Sequence, residues 1–278
     1  MSNYINKHSI LGLMNKNAYL NIDVTELSFY KTKAKNKVVF FKELSEEDEA
    51  KYAEVNYMYL DEKPERKIKG MYKMPEVISV FDNKYFRNIR LCTDKELYQT
   101  LRKYRINREE LKIIEFSQVN LADYKELQED IVKMIEVWRY SDKGGMKYGW
   151  QEHAGIDKAF FERFFKMKPE EQDEYQVLFF VYQGTLMGYS VIEKEPDING
   201  EYKYLIRKCI TESPDGAGWR NLCLYIDYIT FEQLWMRNDL NKFYVNWGAS
   251  SRGALWYKMH KFPLFATEDR WFATVKNK

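Results

Sequence analysis

The sequence predicts an α+β chain built on a mixed sheet, and three observations predict it. Val177–Tyr182 and Leu186–Glu193 are two β runs around Gln183-Gly184-Thr185, a short glycine turn, and together they read as a hairpin. The hairpin is followed by strand, glycine turn, helix, strand, helix and strand, an α/β or α+β order. Ahead of it, the first part of the chain runs strand, strand, helix, strand before a long helix.

The elements follow in chain order. Lys37–Phe41 and Glu76–Phe81 are short, rich in Val, Ile and Phe, and flanked by polar turns, so they read as strands. Thr93–Tyr104 reads as a helix with Thr93 as N-cap and Glu96 completing a capping box. Leu97, Leu101 and Tyr104 fall on one face of it. Leu111–Phe116 is a strand candidate. Leu121–Trp138 is a longer helix with Leu127, Ile131, Met134, Ile135 and Trp138 on one stripe. Ser141 to Gly155 carries Gly144, Gly145, Gly149 and Gly155 and reads as a loop, with a short aromatic helix at Ile156–Phe165. Past the hairpin, Tyr202–Ile210 is a strand that Ser213–Gly218 breaks. Trp219–Asn238 is a helix with Leu222, Tyr225, Ile226 and Ile229 on one face. Lys242–Trp247 is a strand, Ser250–Lys261 a short helix and Leu264–Val275 a closing β segment. The four strands from Val177 to Trp247 are expected to share one mixed sheet. Glu43 to Glu54 is acidic and Lys63 to Lys73 basic, and both read as solvated surface.

Composition narrows the classes. A chain of 278 residues allows one large domain or two small ones. A net charge of +2 supplies no global field that draws in nucleic acid or membrane. Aromatics reach 17%, which reads as ring-built core and strand faces or, alternatively, as stacking surfaces for planar ligands. Cys92, Cys209 and Cys223 lie far apart with no CxxC, and His8, His153 and His260 are scattered. No metal site or disulfide framework is expected, and a reducing cytoplasm fits. No apolar run approaches the ~18 residues of a membrane span, and the polar stretch Met1 to Asn17 is not a signal peptide.

Gly216 and Gly218 sit between a strand and a helix, where backbone N–H groups and the helix N-terminus suit a pyrophosphate or other anion. Glycine also serves any strand-to-helix turn. The surrounding order resembles the GNAT acyltransferase superfamily, whose coenzyme A turn reads Gln/Arg-x-x-Gly-x-Gly/Ala. Ser213-Pro214-Asp215-Gly216-Ala217-Gly218 matches it at both glycines, with Ser213 in place of Gln or Arg and Asp215 adding a negative charge. The family's last helix often reads Asn-x-x-Ala-x-x-x-Tyr-x-x-x-Gly-Phe. Ser250, Gly253, Tyr257, Lys261 and Phe262 occupy those places, and Tyr257 and Phe262 match. The resemblance implies that Tyr257 acts as general acid toward a leaving thiolate. Read from its neighbours Leu255 and Trp256 alone, Tyr257 is an amphipathic core residue.

A narrower resemblance rests on Asn83-Lys84-Tyr85-Phe86-Arg87-Asn88-Ile89-Arg90, Tyr204-Leu205-Ile206-Arg207, Pro214-Asp215-Gly216 and Val245-Asn246-Trp247-Gly248-Ala249-Ser250. This pattern is similar to the tandem-GNAT domains of the phosphatidylglycerol lysyltransferase C-terminal type and to Fem-like aminoacyltransferases. It implies two GNAT-like units in tandem, a degenerate one over residues 1–115 and an acyltransferase unit over 116–278. It implies acyl-CoA or aminoacyl-tRNA as donor, with no metal. It places Tyr257 and Asn246 as catalytic residues and Gly216, Gly218, Arg207, Tyr204 and Ser250 as donor- or substrate-binding residues. Arg207, Asn246, Gly216, Gly218 and Tyr257 are expected to border one cleft, where the Tyr202–Ile210 and Lys242–Trp247 strands diverge.

Arg87, Arg90, Arg102, Lys103, Arg105 and Arg108 form a basic cluster, which is a solvated face or a set of phosphate contacts to tRNA or DNA. Arg207 is a clamp for carboxylate or phosphate, or a solvent-facing strand residue. Trp138, Tyr140, Tyr148, Trp150 and His153 decorate the glycine-rich loop as a binding lid would. Asp227 and Glu193 are acidic candidates for a base that spacing does not single out. Three functions stay open: acyl or aminoacyl transfer to a small or peptide acceptor, transfer to a modified DNA base as in phage DNA-modification systems, and non-catalytic binding on a GNAT scaffold.

Overall fold

The computed structural model describes residues 29–31, 37–40, 43–60, 62–89, 95–106, 111–119, 124–140, 160–162, 164–173, 175–193, 201–202, 205–209, 221–238, 241–249 and 252–277. The strands are β1 (Phe29–Lys31), β2 (Lys37–Phe40), β3 (Glu54–Leu60), β4 (Tyr72–Asp82), β5 (Leu111–Glu115), β6 (Tyr175–Tyr182), β7 (Thr185–Glu193), β8 (Glu201–Tyr202), β9 (Leu205–Cys209), β10 (Lys242–Ala249) and β11 (Leu264–Lys276). The helices are α1 (Glu46–Glu49), α2 (Asn83–Arg87), α3 (Lys95–Ile106), α4 (Tyr124–Tyr140), α5 (Pro169–Gln172), α6 (Leu222–Asn238) and α7 (Arg252–Lys261).

Two sheets form. The first has seven strands in the order β1-β2-β3-β11-β4-β10-β8, and the second has four in the order β5-β6-β7-β9. In the first, β2 with β3 and β10 with β8 are parallel and the other pairs antiparallel, so the sheet is mixed as expected. The second is antiparallel throughout. The expectation of a single mixed sheet across Val177 to Trp247 is corrected: β6, β7 and β9 build the second sheet, while β10 lies in the first between β4 and β8. The expected Tyr202–Ile210 strand is likewise two strands in two sheets. Neither sheet follows a cut at residue 115, because β4 sits between β11 and β10 and β5 pairs with β6.

The hairpin forms where the glycine turn places it. Gln183 and Gly184 both take positive φ, +47° and +79°, the left-handed pair that a two-residue hairpin turn requires. Helix α6 is buried at Leu222, continuously from Leu224 through Phe231 and again at Leu234, so its N-terminal half is covered on every face. An apolar surface all round a helix calls for cover on every side. The ring of Phe231 meets Phe81 and Trp247 of the first sheet, and Tyr225 meets Phe180 of the second. The central core therefore joins β4, β10, β6 and β7 around α6, with Leu97 and Leu101 of α3 closing one side. Ile131 and Met134 of α4 cover the other face of the second sheet, with Phe160, Phe161 and Phe164. A smaller core gathers Val55, Tyr57, Leu60, Ile68 and Ala273.

Two further expectations are corrected. Glu49, inside the acidic stretch read as solvated, is buried and accepts hydrogen bonds from Tyr57 and Arg66. Cys223, in the first turn of α6, is disulfide-bonded, where the scattered cysteines lead to no expectation of a disulfide framework. Sequence separation does not limit which cysteines the fold brings together.

Candidate active site

The two sheets part company at one place. At β8, Glu201 and Tyr202 pair in parallel with Tyr244 and Val245 of β10. The same stretch of chain continues as β9, whose Leu205–Cys209 pairs instead with Gly188–Ile192 of β7. The β8 ladder thus ends at Val245, and β9 forms the outer edge of its own sheet close to β10.

At this point β10 is itself irregular. Its register against β4 slips between Asn246 and Ala249, Gly248 takes φ +69°, and the Asn246 Oδ1 accepts a 2.8 Å hydrogen bond from the Gly248 N–H. The left-handed φ explains a glycine at 248, and the side-chain acceptor holds the bulge closed. Successive strand residues point to opposite faces. Trp247 turns toward α6 and its Nε1 donates to Ser79 Oγ at 2.8 Å. Asn246, paired with Ile78, lies on the opposite face with the Glu76 carboxyl. Glu76 accepts from Arg270 Nε at 2.6 Å, and both are almost wholly buried. Burial pushes the Glu76 carboxyl above the usual range. The Arg270 charge and hydrogen bond and the Asn246 amide hold it down, and the Glu268 carboxylate pushes it further up.

On the α6 side, the Tyr257 hydroxyl donates to Asp227 Oδ2 at 2.7 Å. Tyr257 stands half-buried on α7 with its ring 6.1 Å from Phe262, and Asp227 is completely buried on α6. The neighbouring Lys258 Nζ donates to the Trp247 carbonyl at 2.7 Å and ties α7 to β10. Thr230 follows Asp227 by three residues, nearly one helical turn. Its hydroxyl donates to the Ile226 carbonyl at 2.7 Å and shares a 2.5 Å hydrogen bond with Ser190 of β7. Ser190 is the ladder partner of Arg207 in β9. Two polar links, Ser190–Thr230 and Asp227–Tyr257, thus lie within an otherwise apolar core.

At the N-terminus of α6, Asn221 has φ +65° and its side-chain amide donates to Glu96 Oε1 at 3.0 Å. The other Glu96 oxygen accepts from the buried Lys261 at 2.5 Å. A carboxylate is stabilised at a helix N-terminus by the dipole, so Glu96 competes there with any phosphate.

The structure joins Tyr257 to Asp227 and sets Arg207 opposite Ser190, but it places Asn246 on the other face of β10 from Tyr257. Gly216, Gly218, Tyr204 and Ser250 lie outside the described residues, as do Arg90, Arg108 and most of the expected lid. Arg87 on α2 and Arg102 on α3 are exposed, and Arg105 belongs to α3. The Asp227–Tyr257 pair and the Thr230–Ser190 link escaped the sequence reading. Their signal was present as two polar residues three apart in a helix that is otherwise almost uniformly apolar from Leu222 to Phe231.

No family model matches the chain, and no curated protein matches it by sequence. Its fold is similar to that of a conserved protein of unknown function from Bacteroides thetaiotaomicron, with TM-score 0.53 and 11% identity over 88% of this chain and 81% of that one. It is also similar to a functionally unknown conserved protein from Staphylococcus epidermidis, with TM-score 0.50 and 8% identity over 97% of this chain and 100% of that one. L-PGS from Bacillus licheniformis resembles it in outline, with TM-score 0.47 and 11% identity over 88% and 79%. Other solved structures that resemble it in outline include GNAT-family chains and a tandem GNAT protein.

Proposed function

We propose that the chain is an acyl or aminoacyl transferase that moves an activated acyl group onto an amine or hydroxyl. The observation that carries the reading is the parting of β8 and β9 into two sheets, which among the described residues makes β9 the outermost strand of its sheet, near the bulged strand β10 to which Lys258 ties the helix that carries the half-buried Tyr257. An acyl carbonyl bound along the β9 edge would take backbone N–H donors as its oxyanion partners, which is where most of such catalysis resides. Residues 1–115 and 116–278 then act as two GNAT-like units that share strands in both sheets. Gly216, Gly218, Arg207, Tyr204 and Ser250 would hold the donor. Asn246 acts through the bulge that it closes rather than on the substrate. Glu96 at the α6 N-terminus weakens the case for a pyrophosphate there and favours a donor held chiefly by its acyl end, an aminoacyl ester included.

The test is a donor panel of acetyl-CoA, longer acyl-CoA and charged tRNAs against amine, peptide and nucleic-acid acceptors, with acyl transfer followed by mass spectrometry. Tyr257→Phe should lower transfer by ~10²-fold or more while leaving the fold intact. Equal turnover by Tyr257→Phe removes the residue from the chemistry. Transfer to a DNA base is a second reading, favoured by exposed Arg87 and Arg102 near the central core. It requires that Arg87→Ala and Arg102→Ala weaken DNA binding and flatten its salt dependence.

A further inference from the structure

We propose that Tyr257 and Asp227 form one proton shuttle, in which Asp227 takes the acceptor's proton through the Tyr257 hydroxyl and then returns it to the leaving group. The inference rests on the transferase reading above and goes beyond it, since a general-acid role for Tyr257 needs no Asp227.

The geometry assigns the direction. In their 2.7 Å bond the Tyr257 hydroxyl donates to Asp227 Oδ2, so its hydrogen lies toward Asp227. Toward a bound substrate the phenol oxygen is then an acceptor before it is a donor. Asp227 is completely buried, and burial disfavours the charged form of a carboxyl. The position of Asp227 is fixed from both sides. Thr230 fastens the same face of α6 to Ser190 of β7, and Lys258 fastens α7, which carries Tyr257, to the β10 backbone.

The step balances without an outside acid or base. When the acceptor amine adds to the acyl carbonyl, a C–N bond forms and the nitrogen becomes cationic. One N–H bond breaks as its proton passes to the Tyr257 oxygen, and the original Tyr257 O–H breaks as that proton passes to Asp227. On collapse, the C–S or C–O bond to the leaving group breaks. Asp227 then returns its proton to Tyr257, and Tyr257 releases one to the departing thiolate or alkoxide. The net change is one proton carried from nucleophile to leaving group. Tyr257 is the catalytic residue, and Asp227, which acts through it, is a positioning residue that also stores the proton.

The decisive measurement is a proton inventory of kcat in H2O–D2O mixtures, using whichever of acetyl-CoA or alanyl-tRNA the wild type turns over with a primary amine. Two protons moving together give a bowed dependence on deuterium fraction in the wild type. Tyr257→Phe should lower kcat by ~10²-fold or more with KM little changed, and its inventory should become linear. Asp227→Asn should reproduce the linear inventory, and Asp227→Glu should restore part of the curvature. A linear inventory in a fully active wild type overturns the shuttle and leaves the transferase standing, as does a folded Asp227→Asn variant with wild-type kcat. A wild type that transfers from neither donor overturns both. If Asp227→Asn does not fold, the wild-type and Tyr257→Phe inventories decide alone.

Discussion

Two glutamate–arginine pairs in this molecule differ in the direction in which their carboxyl groups are pushed. Glu49 on α1 accepts from Tyr57 at 2.7 Å and from both terminal nitrogens of Arg66, which also reaches Glu43 at 3.0 Å. Burial alone would raise its pKa, but the Arg66 and Tyr57 hydrogen bonds and the Arg66 charge outweigh burial and hold it below the usual range. Glu76 on β4 has a closer-buried partner in Arg270 but accepts from its Nε, and Arg270 also bonds Glu268. There burial wins and the pKa is raised. A carboxylate with several donors in a partly open site is a stabilised anion. One that is more deeply buried, with fewer donors and a second carboxylate beside it, is a strained one.

The largest expected effect breaks the deeper pair. Arg270→Met leaves Glu76 buried against Glu268 with no counter-charge and should cost about 3–5 kcal/mol in urea unfolding, while adding Glu76→Leu should recover most of the loss. A single substitution that costs under about 1 kcal/mol would show that water reaches the pair. Glu49→Ala removes charge-assisted bonds whose arginine is partly open to solvent. It should cost about 1.5–3 kcal/mol, read from the same transition.

The pH dependence should separate the pairs by sign. The folded pKa of Glu49 lies below its unfolded value of about 4.3. Its contribution is therefore full above that value and is lost as pH falls through the folded pKa, and Glu49→Gln should flatten the acid limb of the stability curve. The folded pKa of Glu76 lies above its unfolded value. Its contribution is present below about pH 4.3 and is lost as pH rises through the folded pKa, so Glu76→Gln should remove a decline above that pH. Parallel curves for the two variants would erase the contrast. The smallest effect sharpens the face assignment at the bulge. Ser79→Ala strands the Trp247 Nε1–H and should cost about 1–2 kcal/mol, with β10 otherwise unchanged by hydrogen exchange.

The hairpin, the long central helix and the closing helix and strand were legible in the sequence because each carries its own periodicity and its own turn residues. Strand β3 is not legible in the sequence, although Val55 and Tyr57 flank the polar Asn56, because its first residue closes an acidic run that reads as surface. At the site, Tyr257 was legible from its place in a motif, and Asp227 only as an acidic residue that spacing does not single out. Their contact crosses thirty positions and two helices, and helical spacing on either one is silent about the other.

By itself the sequence determined most of the stretches that become strand or helix, where the Gln183-Gly184 turn falls, and that the chain has an α+β order. Those properties come from residue periodicity and backbone preference, which act over a few neighbours. Only the tertiary structure decided that the run from Glu201 to Cys209 divides between two sheets, because β10 and β7 both offer it partners and pairing is not encoded in the run itself. It also decided which buried carboxyl is stabilised and which strained, and it brought Asp227 to Tyr257. Burial depth and the count of donors are properties of packing, and packing joins residues that the chain keeps apart.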